Sequence, residues 1–296
     1  MIGESGLVSL VVYGCLLSLL FALMATGVTI IFGLMNLVNF AHGEIYMMGG
    51  YAFYYVTTLF GLNPFLAIPL AFLTGFVIGQ VIERTVIRPT YTTRLSSPDE
   101  YAIVITFGIS LFLQQFALNV FGFEYYRPPS FWSTIITIFD VSVSGDVIVV
   151  SIASVAILSL LFLFINHTWY GLSMKATAQN LQGAQIVGIN PKRTNNFAFA
   201  LGSGLAAVAG GLLASTYLVY PLMGVFPVLQ AWVVVIIGGL GSLKGAVIAS
   251  FILGISESVL SVVVSPSYSQ VYGFVILFVV LIIRPHGLFG QKGRTY

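Results

Sequence analysis

Residues 171–193 read GLSMKATAQNLQGAQIVGINPKR, the longest polar stretch of a 296-residue chain that is otherwise almost wholly apolar. The composition is 58% hydrophobic and 7% charged. Soluble domains carry roughly 25% charged residues, so an ordinary water-soluble globule is excluded. The apolar runs on either side approach the roughly 20 residues that cross a bilayer as a helix. They are unbroken rather than alternating, which excludes a β-barrel. The fold class that follows is an all-α polytopic membrane protein, one domain over 1–296 with a short polar insert at 171–193. A net charge of +2 offers no footprint for nucleic acid. The one cysteine, Cys15, lies in the first apolar run, so no intrachain disulfide can form.

Outward from the insert, apolar segments fall at about 7–33, 45–61, 64–82, 101–121, 146–166, 195–216, 228–240, 246–264 and 270–283. The runs at 228–240 and 270–283 are short for a full crossing, so eight to nine transmembrane helices are expected, with discontinuous segments. Basic residues set the orientation. Arg84, Arg88 and Arg94 form one group, Lys175, Lys192 and Arg193 a second, and Arg284, Lys292 and Arg294 a third. The positive-inside rule makes all three cytoplasmic, and the C-terminus with them. The opposite loop, 122–145, has Arg127 as its only basic residue beside Glu124 and Asp140. The N-terminus is expected outside, subject to how 34–45 is threaded. Leu7–Gly33 is too long for a signal h-region and has no basic residue before it, so it reads as a retained span. Ser97-Pro98-Asp99-Glu100 reads as a capping box, and Asn63-Pro64 starts another span. In 195–216, Gly202, Ala206, Gly210 and Ala214 form a ridge of small residues that admits a close neighbouring backbone.

Two segments interrupt the helical pattern. GLMNLVNFAHGEIYMMGG (33–50) places Asn36, Asn39, His42 and Glu44 among hydrophobic neighbours, and GGLGSLKG (238–245) brings Gly238, Gly239, Gly241 and Ser242 directly after a short apolar run. Unwound backbone at membrane depth persists only where protein buries it or a cavity receives it. Paired interruptions in two halves of a chain point to a translocation site; simple turns between spans are the other reading. Glu257 sits in mid-span, either lining a cavity or held by a neighbouring helix. His42 and Glu44 are too few ligands for a zinc site. GGLGSLKG misses the phosphate-loop spacing, and no nucleophile elbow or zinc-protease helix is present. No catalytic or metal-binding residues are expected, and no cofactor on this chain.

Within the insert, Ala176–Val187 has helix-forming composition and ends at Gly188 with Asn190-Pro191. Ala178, Leu181, Ala184, Gln185 and Gly188 make one weakly apolar face. About twelve residues of helix are marginal alone in water, so either docking on a partner or a solvated connection fits.

Four segments resemble the branched-chain amino acid ABC transporter permeases: GLMNLVNFAHGEIYMMGGY, the insert, GGLGSLKGAVIASFILGISES and the terminal RPHGLFG. The likeness covers essentially the whole chain, and NFAHGE and RPHGLFG are its most specific parts. It implies a multi-pass subunit of the bacterial cytoplasmic (inner) membrane, in an importer working by alternating access. The implied partners are a second permease, hetero- or homodimeric, two cytoplasmic ATPases that bind ATP and Mg, and an extracytoplasmic solute-binding protein. A small solute, branched-chain or another neutral amino acid, would be moved inward. The insert would then be the ATPase coupling element, with Lys175, Ala178, Asn180, Ala184, Gly188 and Asn190 as its residues. Asn36, Asn39, His42, Glu44, Gly238, Gly239, Gly241, Ser242 and Glu257 would line the pathway. Lys175 stands where the family commonly has Arg, keeping the charge but losing the bidentate fork. The runner-up is an ion-coupled secondary transporter; only Glu44, Glu257 and His42 could form its relay. An intramembrane enzyme ranks last.

Overall fold

The computed structural model describes residues 4–92, 97–138 and 141–290; Arg94, Asp140, Lys292 and Arg294 lie outside them. The helices in order are α1 (Glu4–Met35), α2 (His42–Thr58), α3 (Pro64–Ile82), α4 (Arg88–Thr92), α5 (Pro98–Phe121), α6 (Gly145–His167), α7 (Trp169–Gln179), α8 (Leu181–Ile186), α9 (Pro191–Ala214), α10 (Val225–Gly238), α11 (Leu243–Val263) and α12 (Ser269–Ile283). Every apolar run of the sequence is a helix, and among the described residues 6 helices are long and apolar enough to cross a membrane. The all-helical expectation needs one correction. Ile135–Ile138 and Val141–Ser144 pair as antiparallel strands; the first is wholly β-branched and the second alternates valine with serine, both compositions that suit a strand.

α9 is the axis of the bundle. Every residue from Ala198 to Ala214 is buried, because its small side chains let neighbours approach to backbone distance. A Cβ on Gly202 would stand 2.7 Å from the Gly27 carbonyl oxygen of α1, and one on Gly75 of α3 would stand 2.6 Å from the Ser203 carbonyl oxygen.

The packing repeats with inverted direction. α3 lies on α9 as α11 lies on α1, α2 on α9 as α10 on α1, and α2 on α3 as α10 on α11. α1, α2, α3 and α5 therefore form one repeat, and α9, α10, α11 and α12 the other. In each, a full-length helix is followed by an irregular segment, a short helix of 17 or 14 residues, and a second long helix. Inverted repeats of this kind are a common transporter architecture.

Three local expectations change. Arg84 and Arg88 lie in no loop: α3 continues through a π-helical turn, Glu83–Ile87, into α4. Ser97 does precede α5, with Pro98 in its first turn, but its side chain makes no capping bond. The single helix expected at 176–187 is broken at Asn180. That residue adopts an extended backbone, and its Oδ1 accepts from Gly183 N at 2.8 Å, so it ends α7 and caps α8.

Candidate functional site: two broken helices and the polar insert

The first break is residues 36–41. Asn36 has φ +56°, the only non-glycine residue described with a positive value, and its N–H donates to Phe32 O at 2.8 Å, closing α1. Asparagine tolerates this left-handed turn. The chain then climbs back beside α1. By His42 it is level with Gly27, where a Cβ would stand 3.0 Å from the His42 ring. Eight residues of helix separate Gly27 from Met35, about 12 Å of rise, so α2 begins at mid-depth. α5 satisfies the exposed backbone: Phe40 N donates to Thr106 Oγ1 at 3.3 Å, and Thr106 Oγ1 donates to Val38 O at 3.3 Å. Asn39 Oδ1 accepts from Ala41 N at 3.0 Å. Asn39, His42 and Glu44 are all buried; Asn36 is exposed. Gln114 Nε2 donates to Glu44 Oε1 at 2.8 Å, while Glu44 Oε2 and Asn39 Nδ2 have no protein partner among the described residues.

The second break at this depth is 215–224, which sequence reasoning passed over. Tyr126 and Val219 exchange backbone hydrogen bonds of 2.9 and 2.8 Å, tying it to the hairpin-end loop. It then descends to Gly224, at the start of α10. A Cβ on Gly43 would stand 2.6 Å from Gly224 O. The short helices of both repeats thus begin against each other, one running toward the hairpin end and one toward the insert end. Their positive dipole ends meet in the middle of the bundle. Pro221 and Gly224, inside STYLVYPLMG (215–224), were the available signal.

A cavity of about 510 Å³ opens beside this meeting point, toward the hairpin end. Met24, Tyr46, Phe226, Tyr217 and Tyr220 line it, with Arg127. Glu257 is buried in α11.

The break at 238–245 lies elsewhere. A Cβ on Gly33 would stand 3.0 Å from Gly241 Cα, which puts this segment at the insert end of α1 rather than at mid-depth. Gly239 and Gly241 have φ of +98° and +80°. Ser242 caps α11, its Oγ accepting from Gly245 N at 3.1 Å. Leu288 N and Phe289 N donate to Ile237 O and Gly238 O at 2.8 and 3.0 Å, so the tail closes α10.

At the same end the insert folds as α7, α8 and a turn at Gly188, φ +86°. Asn190 caps α9 through Arg193 N at 3.3 Å. Of the residues expected to couple, Ala184 is buried, Ala178 half-buried, and Lys175, Asn180, Gly188 and Asn190 exposed. Other apolar groups stand out more: Ile186 is 86% exposed, Val187 73%, Leu172 56% and Leu181 50%. Two aliphatics directly before Gly188 in a polar stretch were their signal.

Glu83 was also missed. It is fully buried, paired with Arg88 at 2.8 Å, bonded to Tyr91 Oη, and accepts from Asn196 Nδ2 of α9 at 2.5 Å.

The family described as branched-chain amino acid transport system, permease component, matches residues 10–283. The high-affinity branched-chain amino acid transport system permease protein LivH of Escherichia coli K12 is 30% identical over 288 residues, covering 94% of each chain. BraD of Pseudomonas aeruginosa is 29% identical over 92% of each. LivM of Escherichia coli K12 is 23% identical, over 92% of this chain and 68% of its own. Among solved structures, PsaBC from Streptococcus pneumoniae in complex with Fab superposes with a TM-score of 0.52 at 13% identity, covering 93% of this chain and 91% of that one; the likeness is one of fold.

Proposed function

The chain belongs to the permease components of branched-chain amino acid transport systems, and we propose that it is a membrane subunit of an ATP-driven importer in the bacterial cytoplasmic membrane. Its solute is a branched-chain or other neutral amino acid. The observation that carries this reading is the meeting of two short helices, one from each inverted repeat, at Gly43 and Gly224. Two halves hinged on one mid-depth contact can rock, opening first one end and then the other. Asn39, His42 and Glu44 supply polar groups at that depth, Glu257 is a buried acid of α11, and Asn36, Gly238, Gly239, Gly241 and Ser242 lie toward the insert end. The basic residues at the insert end support a cytoplasmic position for it.

The chain is no enzyme in this reading. ATP and Mg²⁺ act on two partner ATPases, which grip the insert. Leu181, Ile186 and Val187 enter a groove on the ATPase, while Lys175, Ala178, Asn180, Ala184, Gly188 and Asn190 hold the shape of the lever. A second permease completes the membrane part, and a solute-binding protein docks on 122–145. LivH and LivM, both similar to this chain, are permease proteins of high-affinity branched-chain amino acid systems, which supports a pair of related subunits.

Uptake of radiolabelled leucine into right-side-out vesicles carrying the native complex and its binding protein, with ATP enclosed, tests the proposal. ATP is expected to drive uptake in the presence of an ionophore that collapses ion gradients. Uptake abolished by the ionophore and indifferent to ATP would establish the ion-coupled alternative instead.

A further inference from the structure

A second cavity, about 680 Å³, lies at the insert end between α1, α6, α7 and the turn that starts α11. Lys175 and Lys244 both line it, with Asn166, Gln179 and Ser242, and no acidic side chain does. Lys175 Nζ donates to Asn166 Oδ1 at 2.5 Å, which leaves further protons on the ammonium for another acceptor. Lys244 makes no hydrogen bond or ion pair among the described residues. The lysine pair sits where α11, 21 residues long, begins at Leu243, so unpaired first-turn N–H groups and the positive dipole end add to the field. Thr29 also lines it, and most of the remaining wall is apolar, including Ile30, Phe162, Ile165 and Phe289.

The depth of this cavity is marked independently. Trp169 and Tyr170, at the start of the same α7 that carries Lys175, are 73% and 59% exposed. Exposed Trp and Tyr at the end of a membrane bundle belong at the headgroup level. A pocket with two cations, no anion and an apolar floor at that level matches a phosphate attached to acyl chains. Basic pockets between membrane helices are recognised sites for anionic headgroups.

We propose that this cavity binds the phosphate of an anionic phospholipid, which links the insert, through Lys175, to α11, through Lys244. Occupancy would stiffen the connection between the lever and the second repeat, making transport sensitive to the anionic lipid content of the membrane. The proposal stands on the cavity and does not depend on which solute is carried.

The test uses the full chain purified in mild detergent, with lipid retention read by native mass spectrometry and stability by thermal unfolding. Dioleoyl phosphatidylglycerol is expected to be retained and to raise Tm, and dioleoyl phosphatidylcholine to do neither. Lys175→Ala combined with Lys244→Ala should weaken phosphatidylglycerol binding about thirtyfold, each lysine near a membrane surface being worth roughly fivefold. The Lys175→Arg, Lys244→Arg pair should restore binding, which separates charge from folding, and Lys192→Ala should leave it unchanged. Inorganic phosphate at millimolar concentration should compete weakly; phosphate that stabilises as well as the lipid would identify a soluble anion as the occupant. Equal retention of the two lipids by the wild-type chain, or undiminished phosphatidylglycerol binding by the double alanine variant, would overturn the proposal.

Discussion

The two repeats use the same plan with opposite chemistry. In the first, the break before α2 is held by side chains: Thr106 reaches across from α5 to the backbone of Val38 and Phe40, and Gln114 secures Glu44. In the second, the break before α10 is held by backbone pairing between Tyr126 and Val219, and α10 opens with the apolar Val225-Phe226-Pro227. The difference extends to their buried acids. Glu83, on the continuation of α3, meets a guanidinium, a phenol and an amide, whereas Glu257 is buried within α11 of the other repeat. A carboxylate enclosed by donors fastens two elements together, and here it locks α3 to α9.

The largest effect is expected where the repeats touch. Gly43→Leu and Gly224→Leu should be equally damaging, because both fill the same contact, at about 3 kcal/mol or more of overpacking. Thermal unfolding in detergent would show the two losses; a tolerant Gly224→Leu chain would mean that the short helices do not meet.

The paired acids should respond differently. Glu83→Ala should cost about 2 kcal/mol, below the range for fully buried pairs because the Arg88 side chain is 31% exposed. Glu257→Gln should leave Tm close to wild type yet lower solute uptake severalfold. Matching losses of stability in both variants would make Glu257 a structural residue and remove the contrast.

Thr106→Val should weaken the first break by about 1 kcal/mol, one shared hydroxyl being lost from the backbone it serves. Hydrogen exchange would show faster opening at 36–44 and none at 215–224. The smallest stability effect belongs to Asn180→Ala, where loss of one exposed cap costs about 0.5–1 kcal/mol. Its expected signature is functional: a straighter, fused α7–α8 that no longer stimulates ATP hydrolysis, measured as the ratio of ATPase activity with and without loaded binding protein.

Much of this plan is legible in the chain. Each apolar run of the sequence became a helix because hydropathy and the need to satisfy backbone groups in lipid leave few other options. Asn36, Asn39, His42 and Glu44 stood out because polar residues among apolar ones are costly. The second mid-depth break did not stand out. STYLVYPLMG fell mostly between the runs at 195–216 and 228–240 and carries no charge to mark it, whereas glycine-rich GGLGSLKG drew attention and lies at the insert end. Glycine content reports backbone freedom, not depth. Glu83 drew no reading, because its partner Asn196 is distant in sequence and the π-helical turn that aims it has no local signature. Asn180 carried its signal plainly, an asparagine three residues before a glycine N–H, but a helix-forming composition around it masked the break.

The importer reading is tested most directly by recovering the complex. The chain, tagged and extracted from its native membrane in mild detergent, should bring with it a related permease and two ATPase subunits. With Ile186→Asp and Val187→Asp, changes at side chains that contribute little to the fold, the permease should still be recovered and the ATPases lost. A chain recovered without ATPases in the wild-type form, or holding them undiminished in the double variant, would contradict the account.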